Sequence, residues 1–133
     1  MSDRTATGGD SGLASAGVCR IEDDSTQNAS AILSAYGELD LHVAPELQDR
    51  IDAAIDDGAK LVVLDLSAVT FIDSMALGVL LGAVNQLRAR GGNLRLVVPS
   101  RELRRIFEIS LLDRVFTLDA TRDEACAQPL QYR

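Results

Sequence analysis

Tryptophan is absent from the 133 residues, and only 4% of them are aromatic. A core built from this chain must therefore be aliphatic. Cysteine is also scarce, with Cys19 and Cys126 near opposite ends of the chain. Two such residues offer no metal-ligand spacing, so two free thiols and no metal site are expected. No apolar run approaches the length needed to cross a membrane. The N-terminus lacks a basic start followed by an apolar core, so no secretory signal is read and a cytoplasmic protein is expected. Positive charge is in deficit: 13 Lys and Arg stand against 20 Asp and Glu, a net charge of -7. That argues against nucleic acid or an anionic membrane as partner. It fits a basic protein partner, although solubility alone accounts for it equally well.

The length suits one domain. Leu61 to Leu66 is an apolar run rich in β-branched residues. It is too short for a helix and too apolar for a half-exposed strand, so it reads as a central strand buried on both faces. Ser67 to Thr70 reads as a short loop. A helix over Met75 to Arg90 follows Phe71-Ile72-Asp73-Ser74. Leu77, Leu80, Leu81, Val84 and Leu87 recur at helical spacing as its buried stripe. Met75, Gly78, Val79, Gly82 and Gln86 lie on another face. No charge occurs between Met75 and Gln86, and each glycine costs a helix about 1 kcal/mol against alanine. Such a face is either buried by another element or kept for a partner.

Around this unit the chain reads in order. Residues 1–16 are rich in Gly, Ser, Thr and Ala, without periodicity, and are expected to form a disordered tail. Val18 to Glu22 and Ala29 to Tyr36 suggest a hairpin across the polar turn 23–28, with Gly37 breaking the second strand. A helix runs from about Val43 to Asp57, with Pro45 in its first turn and Leu47, Ile51, Ala54 and Ile55 as its stripe. Gly58 ends it. Gly91-Gly92-Asn93 is a turn and Leu94 to Val98 a strand. Ser100 caps a short helix, Arg101 to Ile109, whose arginines form a solvated edge. Asp113 to Leu118 is the last strand. Thr121 begins a terminal helix that frays by Pro129, leaving 128–133 loose. The order β-β-α-β-α-β-α-β-α implies an α/β fold: one largely parallel mixed sheet with an N-terminal hairpin and helices packed against it.

Catalytic chemistry finds little support. Ile72 and Ala76 flank Ser74 where a nucleophile elbow needs glycines, and the sole histidine, His42, reaches Ser74 only if two separate loops converge. Gly91-Gly92 lacks the following Lys-Ser/Thr of a phosphate loop and precedes a strand. No cofactor site is read. Asp73-Ser74 at a helix start is a capping pair, and only one of the two can cap. With Asp73 as cap, the Ser74 hydroxyl is free to face solvent. With Ser74 as cap, it is partly engaged. Asp40 in Gly37-Glu38-Leu39-Asp40 reads as a helix-entry turn.

Phe71-Ile72-Asp73-Ser74-Met75-Ala76-Leu77-Gly78, between such a strand and helix, resembles the signature of the STAS family, and more specifically its single-domain anti-sigma factor antagonists. The family pattern is Asp-Ser-Ser-Gly-Leu-Gly. Asp73, Ser74, Leu77 and Gly78 match it, while Met75 replaces the second serine and Ala76 the first glycine. Gly37-Glu38-Leu39-Asp40 matches the motif that precedes the family's first helix. The resemblance spans about Val18 to Ala125 and implies a single STAS domain over residues 17–127. It implies a non-catalytic switch that binds an anti-sigma factor of the serine-kinase type and so releases the sigma factor. Ser74 falls at the phosphorylated position, where modification by the partner ends the complex and a serine phosphatase resets it. Asp40, Asp73, Ser74, Met75, Gly78, Val79 and Gly82 are the expected partner-binding residues. The alternative is a scaffold or interaction module that is never phosphorylated; a serine hydrolase is the remote third.

Overall fold

Alternation decides which side of a strand each residue faces, and in this chain both sides are apolar at the centre. The computed structural model describes residues 16–21 and 30–127. The expected tail up to residue 15, the turn 23–28 and the end 128–133 lie outside the described residues. In chain order the elements are β1 (Gly17–Ile21), β2 (Ser30–Leu39), α1 (Ala44–Asp56), β3 (Leu61–Ile72), α2 (Ser74–Ala89) and β4 (Asn93–Val97). They continue with α3 (Arg101–Ile109), a 3₁₀ turn (Leu112–Arg114), β5 (Thr117–Asp119) and α4 (Arg122–Ala127). The five strands form one sheet in sequential order, β1 antiparallel to β2 and all other neighbours parallel.

Leu61 to Leu66 is buried throughout. Val62, Leu64 and Leu66 join Leu33, Leu94 and Leu96 in the main core beneath α1, α2 and α3. Leu61 and Val63 point the other way, into a smaller cluster with Ile32, Val97 and Ala125 of α4. Each fully buried aliphatic side chain contributes roughly 1.5–3 kcal/mol, and Phe107 packs edge-to-face on Phe116 with centroids 5.7 Å apart.

Three expectations about the strands change. Gly37 does not break β2, which runs on to Leu39. Its φ of 80° absorbs a register shift against β3, where the pairing slips between Gly37 and Glu38. A bulge of this kind bends a strand without ending it. Ser67 to Thr70 is not a loop either, because the prolonged β2 supplies a partner as far as Ile72. The last strand is only Thr117–Asp119, because Leu112–Arg114 tightens into the 3₁₀ turn.

The helices follow the sequence closely. α1 buries Leu47, Ile51, Ala54 and Ile55, with Pro45 in its first turn. α3 spans the expected residues, and the Ser100 hydroxyl accepts the Leu103 N–H at 3.2 Å. The buried stripe of α2 is Ala76, Leu80, Ala83, Val84 and Leu87. Leu77 and Leu81 are half-buried at its margins, so the stripe is rotated from the expected Leu77, Leu80, Leu81, Val84 and Leu87. Small Ala76 and Ala83 belong to that stripe. At Gly92, a Cβ would stand 2.0 Å from the Lys60 carbonyl oxygen. The Asn93 N–H donates to that oxygen at 2.8 Å, so the turn into β4 has room only for glycine.

Candidate functional site

The two sequence motifs meet at one edge of the sheet. Leu39 at the end of β2 lies opposite Ile72 at the end of β3. The Asp73 N–H donates to the Leu39 carbonyl at 3.0 Å, which ties the two strand exits together. Asp40 and Asp73, one residue beyond each strand, therefore lie side by side. This is the carboxyl edge of parallel strands, where open α/β sheets meet their ligands.

Each aspartate organises a helix entry. Asp40 Oδ1 accepts the His42 N–H at 3.0 Å, and its carbonyl accepts from Val43 and Ala44. That is an Asx-type turn feeding α1. Asp73 is the cap of α2: it has extended backbone, and its Oδ1 accepts the Ala76 N–H at 3.0 Å. The open question of which residue caps is thereby resolved. Ser74 is the first helical residue, exposed, and its hydroxyl makes no hydrogen bond among the described residues. No hydrogen bond joins His42 to Ser74 among those residues. The His42 side chain is exposed in the turn before α1, so a hydrolytic pairing is not assembled.

The surface around Ser74 is apolar as well as polar. Leu41 is 56% exposed, Phe71 45% and Met75 59%. Leu41 follows Asp40, Met75 follows Ser74, and Phe71 lies two residues before Asp73. Leu41 and Phe71 were missed as candidate contact residues. Phe71 lay inside the motif, and Leu41 sits between Asp40 and His42. What the sequence does not show is that both strands end here and leave these side chains no cover.

Along α2, Gly78 and Gly82 are exposed, and a Cβ at either would meet nothing within 4 Å. Neither glycine is needed for internal packing. Val79, expected on the open face, is half-buried and packs against the core. The two departures from the family pattern also separate: Ala76 is 1% exposed and fills the core, while Met75 alters the outer surface. Beside Asp40 a groove of 630 Å³ opens between Ala16, Gly37, Glu38, Asp40, His42, Val43 and Thr70. Among the described residues no three metal-ligating side chains converge. Nor is any helix there long and apolar enough to cross a membrane.

Comparison with known proteins agrees with this geometry. A STAS domain model matches residues 20–125. An anti-sigma F factor antagonist of Lysinibacillus sphaericus is 32% identical over 97 residues, covering 72% of this chain and 82% of that protein. An anti-sigma-B factor antagonist of Bacillus subtilis is 33% identical over 98 residues, covering 73% and 89%. Among solved structures, the Bacillus cell fate determinant SpoIIAA in its phosphorylated form is similar with a TM-score of 0.63. The identity there is 28%, over 82% of this chain and 96% of that one.

Proposed function

The chain belongs to the STAS domain family, and from that membership we propose that it is an anti-sigma factor antagonist switched by phosphorylation of Ser74. In its unmodified form it binds an anti-sigma factor of the serine-kinase type in the cytoplasm and so frees the sigma factor. The partner's ATP supplies the phosphoryl group to the Ser74 hydroxyl, the complex dissociates, and a serine phosphatase restores the binding form. The chain itself carries no cofactor and catalyses nothing. The contact surface comprises Asp40, Asp73, Ser74, Met75, Gly78, Gly82 and the margin of Val79, extended by Leu41 and Phe71.

The observation that carries this reading is the state of Ser74. Its hydroxyl is free because Asp73 does the capping, and Leu41, Phe71 and Met75, near the same strand exits, are exposed. A phosphate there adds close to two negative charges at a helix N-terminus. The helix dipole favours an anion by about 0.3–1 kcal/mol, up to roughly 2, so the fold tolerates it. The interface does not. Two charges about 6 Å from one partner carboxylate cost roughly 5 kcal/mol at an effective dielectric near 20. Half of that already exceeds a tenfold loss of affinity. The interface term outweighs the dipole term, so phosphorylation acts by exclusion, without refolding.

A second reading rests on Met75, which stands exposed where the family pattern has a serine: a kinase that reads this flank would pass the chain by, leaving an unphosphorylated scaffold. Titration against the purified anti-sigma partner, with and without ATP, separates the two. Ser74→Ala is expected to bind persistently in ATP. Ser74→Asp is expected to bind at least tenfold more weakly while melting at nearly the wild-type temperature. A helix-start peptide that gains no phosphate in mass spectrometry, with binding unaffected by ATP, supports the scaffold instead.

A further inference from the structure

β3 is paired further along one side than along the other. Towards β4 its pairing stops at Asp65, opposite Val97. Towards β2 it continues to Ile72, opposite Leu39. β4 sets the difference. Pro99 has no N–H to give to a ladder. The Val98 N–H is turned to the Asp119 carbonyl at 2.8 Å, and the Val98 carbonyl accepts from the Arg104 guanidinium at 3.3 Å. The chain therefore leaves the sheet for α3 while β3 runs on. From Leu66 to Ile72, β2 is the only strand partner of β3 among the described residues. The Ser67 N–H is satisfied locally, by Asp65 Oδ1 at 2.8 Å. Past Ser67, the edge of β3 away from β2 has no backbone partner among those residues. Such a row of N–H and C=O groups is a template for a further strand.

This edge is open as well as unpaired. Ser67, Ala68, Thr70 and Phe71 are exposed. A groove of 400 Å³ is lined by Ser67, Val69 and Thr70 of β3 and by the start of α3 with its cap. Val69, Leu103 and Ile106 make part of that lining apolar. Glu102 is the one charged residue in it, and the Ser100 hydroxyl donates to its Oε1 at 3.4 Å.

We propose that the free edge of β3 is a strand-addition site, which takes an extended segment of the protein partner that covers Ser74. The proposal rests on the reading of Ser74 given above, because the edge runs directly into that surface: Asp73 and Ser74 follow Ile72. Among occupants, an extended chain is the one that matches a row of backbone donors and acceptors. Its side chains alternate in direction. An aliphatic one enters beside Val69, Leu103 and Ile106, and a lysine or arginine reaches Glu102. A basic segment also suits a chain of net charge -7.

The test is a random-peptide display selection on the immobilised full chain, with enriched peptides resynthesised and titrated by fluorescence anisotropy. The expected consensus combines Lys or Arg with Val, Ile or Leu. N-methylation at successive peptide residues removes one backbone donor at a time, and affinity is expected to fall roughly tenfold or more at alternate positions and little between them. Binding should also weaken in Glu102→Lys and in Ile106→Gln, with circular dichroism unchanged, and slow amide exchange at residues 68–71. The Ser74 reading is tested with ATP and the anti-sigma partner, and this selection uses neither, so the two fail separately. The proposal is overturned by a selection that enriches nothing, by N-methylation without the alternating pattern, or by peptides indifferent to both substitutions. Self-association in sedimentation that Glu102→Lys and Ile106→Gln abolish would assign the edge to a second copy of this chain and overturn it as well.

Discussion

Asp73 accepts the Ala76 N–H at 3.0 Å, and that one bond leaves the next hydroxyl unengaged. Asp73→Ala should therefore cost about 1 kcal/mol, a typical loss for an N-cap, while Asp73→Asn should cost far less. Urea unfolding reads the difference. Gly82 presents the opposite case, since its vacant Cβ position meets nothing and its backbone lies within an ordinary helix. Gly82→Ala should raise stability by up to about 1 kcal/mol, which is roughly 3–6 °C in melting temperature at this size. Gly82→Arg should fold as well as the parent and bind the anti-sigma partner at least tenfold more weakly. A drop in melting temperature for Gly82→Ala would show that the helix itself needs the glycine.

At the scale of elements, six-residue α4 is held to the sheet with modest means. It buries one residue, Ala125. Its Arg122 Nε donates to Asp65 Oδ2 on β3, at 2.5 Å. Asp65 is 5% exposed, and its other oxygen accepts the Ser67 hydroxyl and N–H. Burial alone would raise the Asp65 pKa. The hydrogen bonds from Ser67 and Arg122, with the guanidinium charge, more than offset burial and hold it below the usual 3.8. The unfolded chain thus protonates Asp65 before the native state does, and stability rises with pH across that window. The contribution is complete above about pH 4 and is lost as pH falls through the lowered native value. Arg122→Ala should cost about 1–2 kcal/mol at neutral pH, at the low end for a buried pair because the arginine side chain is 42% exposed and screened. Denaturant melts at pH 7 and pH 3 measure it, and the gap between variant and parent should narrow at the lower pH. Arg95 and Asp119 tie β4 to β5 in the same manner, through two bonds at 2.9 and 3.0 Å.

The whole molecule is asymmetric. The crossovers between parallel strands place α1, α2 and α3 over one face, and among the described residues α4 alone serves the small cluster on the other. Every loop that leaves a parallel strand towards a helix of the main core opens on the same edge, which is why Asp40 and Ser74 share it. Charge is uneven as well, since the arginines gather between residues 88 and 114 while the chain as a whole is at -7. Association with a basic anti-sigma surface should therefore be steered. Raising ionic strength from about 0.05 to 0.5 M shortens the Debye length several-fold. The association rate should fall by roughly tenfold or more while the dissociation rate changes little. Stopped-flow binding at several salt concentrations reads both, and a flat association rate would remove steering from the account.

Period and turn chemistry are local, and the sequence by itself determined what depends on them. Leu61 to Leu66 had to be a buried strand, α1 and α3 were placed within a residue by their stripes and by Pro45 and Ser100, and the element order implied the sheet. The pair Asp73-Ser74 was visible as a helix entry. The division of roles within it was not, because a cap is chosen by backbone dihedral and not by residue type. Strand length also escaped the sequence: Ser67 to Thr70 look like a loop until β2 arrives beside them, and Gly37 looks like a break until the register slips there. Only tertiary structure decided that Leu77, Leu81 and Val79 are half-buried while Leu41 and Phe71 stand in solvent. Exposure depends on which element lies across from a residue, and that neighbour is supplied by chain far away in sequence.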